Sequence, residues 1–250
     1  MAGIELPTTR IKAAYKSPRK LLIYSPPKAG KTTAVALLDN ALILDFEKGT
    51  DFLDAMKVVI EDLGMLNQVL AAVAEKGKPY KYGVVDTTTK LEEMVLPYAA
   101  KLYRTTPMGK RWGLTEGGQV DPAANILTLA NGGGYLYLRQ AYQKVSEAID
   151  NCFERVIYIG HLKDKMLEKN GKEVSAKDID LTGKIRNIAC ANADAIGYLY
   201  REENRTMLSF KTTNEIICGA RPEHLRDKEI TLLEYNDGKF THYWNEVYVD

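Results

Sequence analysis

Ser25-Pro26-Pro27-Lys28-Ala29-Gly30-Lys31-Thr32 follows the short apolar run Leu21 to Tyr24 and opens a segment of helical period. This is the strand-loop-helix setting in which the pattern G-x-x-x-x-G-K-[ST] cradles phosphate. The chemistry needs backbone N–H groups turned inward at a helix N-terminus, a lysine that reaches the β and γ phosphates, and a hydroxyl for Mg²⁺. Gly30, Lys31 and Thr32 supply the last three parts. Ser25 stands where the pattern has its first glycine, which makes the start of the turn stiffer. The candidate nucleotide contacts are therefore Ser25, Pro26, Pro27, Lys28, Ala29, Gly30, Lys31, Thr32 and Thr33, with ATP and Mg²⁺ as the implied ligands.

Moving outward, apolar runs at Ala41 to Phe46, Tyr82 to Asp86 and Arg155 to Gly160 each finish on a polar residue or glycine. They alternate with helix-period stretches, the signature of βαβ units and a mainly parallel sheet. Leu91, Met94, Val95, Tyr98 and Leu102 form one apolar stripe, predicting one helix; Leu138, Ala141, Tyr142, Val145, Ala148 and Ile149 form another. Arg104 to Gly134 and Leu162 to Gly183 break the pattern and read as long loop insertions. Residues 1–19 read as an arm, 20–229 as the core, and 230–250 as a β-hairpin around Asn236-Asp237-Gly238.

A phosphate-bound Mg²⁺ needs a carboxylate at a strand end, and Asp86 fits, although it can equally cap the helix that follows. Thr87, Thr88 and Thr89 come next, so no carboxylate adjoins it to activate water. Glu47, after Leu44-Asp45-Phe46, lies at another strand end and is the candidate base; the alternative is that Glu47 and Asp45 are solvated loop carboxylates.

Composition narrows the class. The 250 residues carry a formal charge of +1, which excludes a globally basic nucleic-acid binder. With 27% charged residues and a mean hydropathy of -0.28, no run approaches the ~20 apolar residues of a membrane helix, and Met1 to Lys20 lacks the apolar stretch of a signal peptide. A soluble, cytoplasmic protein with no membrane partner is the expectation. Cys152, Cys190 and Cys218 have neither disulfide nor metal spacing.

The order of the Lys31 loop, Leu44-Asp45-Phe46-Glu47, Val84-Val85-Asp86-Thr87 and Tyr158-Ile159-Gly160-His161 resembles the RecA core. It is most similar to the compact RecA-like ATPases of bacteriophages that assist single-strand annealing and recombination. The resemblance runs from about Lys20 to Arg221. It implies an α/β RecA-like P-loop NTPase core with a central, mostly parallel sheet flanked by helices. It further implies Glu47 as the water-activating residue, Asp86 as the magnesium carboxylate, and His161 at the γ-phosphate sensor position, where the family usually has glutamine. The insertions at 104–134 and 162–183 take the places of the two DNA-binding loops, and a bacterial host cytoplasm would be the setting for a phage protein.

Single-stranded DNA is then the implied partner. Lys110, Arg111 and Trp112 suit backbone neutralisation and base stacking, or else form a surface turn pinned by a buried tryptophan. Lys163 and Lys165 belong to a run from Lys163 to Arg186 with seven cations against five carboxylates, a balance of only +2 that also fits a solvated loop. Such ATPases complete their sites with a cation from a neighbouring subunit, which implies a ring or filament; Lys211 is the candidate and Arg221 the second. A small-substrate nucleotide kinase lacks an arginine-rich lid here, and a GTPase lacks its N-K-x-D motif. An ATP-binding scaffold without turnover or a DNA role is the remaining alternative.

Overall fold

The computed structural model describes residues 4, 6–169, 172–213 and 215–250, with the side chains of 165–175 outside the description. The elements are β1 (Lys20–Ser25), α1 (Lys31–Ala36), β2 (Ala41–Asp45), β3 (Lys57–Val59), α2 (Leu63–Glu75), β4 (Tyr82–Asp86), α3 (Thr88–Met94) and α4 (Leu96–Arg104). They continue with α5 (Gly134–Asp150), β5 (Arg155–Lys169), β6 (Lys172–Ile179), α6 (Gly183–Asn192), β7 (Ala195–Glu202), β8 (Arg205–Ser209), β9 (Gly219–Ala220), β10 (Glu229–Asn236) and β11 (Lys239–His242).

Among the described residues the strands form one sheet in the order β11-β10-β8-β7-β1-β5-β4-β2-β3, with β6 paired to β5 and β9 to β7. From β3 to β7 every neighbour is parallel, and β8, β10 and β11 extend the sheet antiparallel. This is the helix-flanked, mostly parallel sheet expected from the alternation of apolar runs and helical stretches.

The strand period of two explains both faces. Leu22, Tyr24, Leu42, Leu44, Val85, Val156 and Tyr158 point to the side covered by α2 through α6. Leu21, Ile23, Ile43, Val84, Ile157 and Ile159 point to the other, where α1, Leu208, Phe210 and Trp244 cover them. Parallel strands buried on both faces read as unbroken apolar runs, as these do. Each large side chain so buried contributes about 1.5–3 kcal/mol. Gly83 is needed where it is: a Cβ there would stand 2.3 Å from the Phe153 ring.

Three expectations need correction. The stripe from Leu91 to Leu102 is two helices, because Pro97 lies in the first turn of α4 and Val95 closes α3. Proline has no N–H to donate and its ring crowds the preceding turn, so the chain restarts there. Leu162 to Gly183 is not a loop insertion: β5 runs on past the sheet and pairs with β6 from Leu162↔Ile179 to Lys169↔Lys172. The hairpin buries Ala176, Asp178 and Ile179, while Lys163 and Asp164 at its foot are exposed; with charges so frequent along it, the sequence looks like a solvated run. Finally, the tail is no separate unit. β10 and β11 do turn at Asp237 and Gly238, but β10 pairs with β8, and Trp244, Val247 and Tyr248 enter the same core as α1.

Residues 104–134 hold turns, two short 3-10 segments and an isolated Leu114–Val120 bridge. No helix among the described residues is long and apolar enough to cross a membrane.

Candidate functional site

The C-terminal ends of β1, β5, β4 and β2 share one rim. Ser25 is level with His161, Asp86 with Ile159, and Asp45 with Asp86. Open parallel sheets bind ligands at this edge. β1, which leads into the loop, and β4, which ends in Asp86, are not neighbours; β5 lies between them.

The loop turns through Lys28 at φ 61° and Gly30 at φ 98°, left-handed values that glycine adopts without strain. α1 begins at Lys31 with no side-chain cap on its first N–H groups, and Thr33 lies in its first turn. Pro27 and Lys28 are exposed while Ser25 and Ala29 are buried. The Lys31 side chain folds back over its own loop. Its Nζ donates to Ser25 Oγ at 2.9 Å, Pro26 O at 3.2 Å and Ser25 O at 3.4 Å. Burial lowers its pKa, opposed by the charges of Asp86 and Glu47. Ser25 is thus a polar ligand for the lysine as well as a stiff substitute for glycine.

Thr32 Oγ1 donates to Asp86 Oδ2 at 2.7 Å. Burial pushes Asp86 up to about 6; the Thr32 hydrogen bond and Lys31 work against that, and the charges of Glu47 and Asp45 add to it. A hydroxyl and a carboxylate side by side are hard oxygen donors that fit Mg²⁺. No group of three His, Cys, Asp or Glu side chains suited to a metal occurs among the described residues.

Asp45 is fully buried and organises the turn that presents Glu47. Its Oδ1 accepts from the N–H of Glu47 at 3.0 Å and of Gly49 at 3.2 Å. Its Oδ2 accepts from Thr50 N–H at 3.0 Å and Thr50 Oγ1 at 2.6 Å. Burial opposes its ionisation, but these hydrogen bonds prevail and hold the carboxyl below its usual value. The reading of Asp45 as a solvated carboxylate is therefore corrected. The spacing of Asp45 to Gly49-Thr50 is the signal that was available, since aspartate side chains habitually satisfy the backbone of a following turn.

Glu47 Oε1 accepts from Thr87 Oγ1 at 2.7 Å and stands 2.8 Å from His161 Nε2. The side chains of Glu47 and His161 are each 34% exposed, open to a ligand at the rim. Lys31, Thr32, Asp86, Glu47 and His161 are thus brought together from four separate stretches of chain.

The other candidates lie apart. Lys211 pairs with Glu229 at 3.0 Å, and Arg221 with Asp194 at 3.2 Å. Lys211 comes two residues after Ser209, whose partner Tyr198 is level with Tyr24, so the chain has turned away from the rim. Arg221 borders a cleft of about 1190 Å³ with Lys20, Asp150 and Asp194, at the strands' N-terminal end. Lys110 and Arg111 are exposed, whereas Trp112 is half-buried, edge-on to Tyr103 at 5.7 Å between ring centres. Lys163 is exposed and pairs with Asp180 at 3.3 Å. The side chain of Lys165 lies outside the described residues.

Residues 17–222 match the family model described as an AAA domain. No curated protein matches the chain significantly. Among solved structures, the crystal structure of the RadB recombinase is similar at a TM-score of 0.47 and 12% identity, over 90% of each chain.

Proposed function

The chain belongs to the AAA domain family and is a P-loop ATPase; on that premise we propose that it couples ATP turnover to binding of single-stranded DNA. The observation that carries this reading is the shared contact at Glu47 Oε1. One of its two partners, His161, is the residue from which β5 continues into the β5–β6 hairpin. A group that meets the γ-phosphate is thereby continuous with a projecting ribbon.

In this reading the loop amides and Lys31 bind the triphosphate, with the lysine released from Ser25 and Pro26. Thr32 and Asp86 are the residues that would hold Mg²⁺, which when bound would supply neutralisation of the phosphate charge. Glu47 takes a proton from the attacking water, a role worth ~10² to 10⁴ in rate. His161, hydrogen-bonded to that carboxylate, passes the change in charge to the hairpin. Lys110, Arg111 and Lys163 are the exposed cations offered to the DNA backbone. Trp112 supports the first of these segments from below rather than standing free as a stacking platform.

The finer assignment is to phage-type annealing or recombination in a host cytoplasm, in a ring or filament. Lys211, or Arg221, would then serve a neighbouring copy's site, where such a cation is worth ~10³ to 10⁵. The test is steady-state ATP hydrolysis by wild type and Lys31→Ala, with and without a single-stranded oligonucleotide, across a salt series. Stimulation that fades with salt and is lost in Lys31→Ala is expected, because phosphate contacts release counterions. Hydrolysis indifferent to DNA at every salt concentration would remove the DNA role and leave the ATPase.

A further inference from the structure

Thr87 is 1% exposed, and its hydroxyl meets two partners at once. Oγ1 accepts from the N–H of Lys90 at 3.3 Å, capping α3, and lies 2.7 Å from Glu47 Oε1. A backbone N–H can only donate, so that contact occupies a lone pair of the hydroxyl. Its single proton is therefore directed at Glu47.

The neighbouring threonines fix this arrangement. Thr88 Oγ1 is 2.5 Å from Tyr142 OH on α5. Thr89 Oγ1 donates to Asp180 O at 3.1 Å and accepts from His161 N–H at 3.3 Å, joining both feet of the β5–β6 hairpin. Three consecutive hydroxyls thus tie the first turn of α3 to the base, to the helical layer and to the hairpin.

We propose that Thr87 is a positioning residue for ATP hydrolysis. With Asp45 holding its backbone and Thr87 and His161 both at Oε1, the Glu47 carboxylate keeps one orientation. Oε2, which has no hydrogen-bond partner among the described residues, is left to accept the proton of the attacking water. A base allowed to swing by about 1 Å can lose ~10²-fold in rate without any change in nucleotide binding. This role rests on Glu47 being the base.

The test compares kcat, KM for ATP and the affinity for a fluorescent ATP analogue in Thr87→Val, Thr87→Ser, Glu47→Gln and the Thr87→Val/Glu47→Gln double variant. Thr87→Val keeps the shape and removes the hydroxyl. Its kcat is expected to fall about 10- to 100-fold, with KM and analogue affinity within about twofold of wild type. Thr87→Ser restores most of the rate, and the double variant is no slower than Glu47→Gln. A purely structural role would instead weaken analogue binding in step with kcat, and that result overturns the proposal. So does Thr87→Val turning over at the wild-type rate while Glu47→Gln is inactive, which leaves the base in place and removes its holder. Glu47→Gln at the wild-type rate overturns the base and the positioning role together.

Discussion

The hydroxyl of Thr32, in the first turn of α1, donates to Asp86 Oδ2 at 2.7 Å, although β5 separates β1, which leads to that helix, from β4, which carries Asp86. The contact joins the phosphate loop to the carboxylate rim before any ligand arrives, and its acceptor is buried among other acids.

Asp86 therefore makes the stability of the nucleotide- and Mg²⁺-free protein pH-dependent. Its carboxyl is pushed from 3.8 to about 6 by burial, so between those values the folded chain holds a proton that the unfolded chain has lost. Stability from this group accordingly falls as pH rises through that window, by about 3 kcal/mol at most, and stays low above about 6. Urea unfolding in EDTA from pH 4 to 7.5 should show this slope in wild type and a flatter profile in Asp86→Asn. Equal slopes would remove Asp86 as the source.

Ser25→Ala should tighten nucleotide binding about 3- to 10-fold. The 2.9 Å contact from Lys31 Nζ to Ser25 Oγ stabilises the empty loop and must be given up when the lysine turns to phosphate. Titration with a fluorescent ATP analogue measures the change. An affinity equal to wild type would mean that the two carbonyls alone hold the lysine.

Lys110→Ala and Arg111→Ala should each weaken single-stranded DNA binding and reduce the salt slope by about 1, as the loss of one phosphate contact predicts. Trp112→Ala should act differently, because its ring packs on Tyr103. Proteolytic sensitivity of residues 104–134 is expected to rise in that variant and stay unchanged in the other two. Anisotropy across a salt series and timed digestion separate these effects.

Trp244→Phe should destabilise the fold by about 1–3 kcal/mol, because the indole N–H donates to Ala34 O at 2.8 Å and its loss leaves a buried carbonyl unpaired. Denaturant unfolding reads the cost. Wild-type stability in this variant would show that the carbonyl finds another donor.

Much of the fold is legible in the chain because β1, β2 and β4, strands of five or six residues, are buried on both faces and stand out as apolar runs. β3 has three residues and no such run. The β5–β6 hairpin hides for the opposite reason: its sequence is rich in Lys, Asp and Glu and has no apolar run, so a paired ribbon resembles a loop. The break between α3 and α4 was available in Pro97 and was outweighed by the regular stripe around it. At the site, Lys31, Thr32 and Asp86 follow from the spacing of loop and strand ends. The meeting of Thr87 with Glu47 spans 40 residues and depends on adjacent strands, a relation that no local pattern contains.

The bond from Trp244 to Ala34 joins residues 210 positions apart. The first helix after the phosphate loop therefore rests on a support that the ribosome makes 210 residues later. Contacts of such long range close slowly, and the segment that awaits them stays incomplete in the meantime. A nascent chain stalled before residue 244 would carry the whole nucleotide-binding motif without its buttress, so the helix of the motif gains its support well after the motif itself emerges.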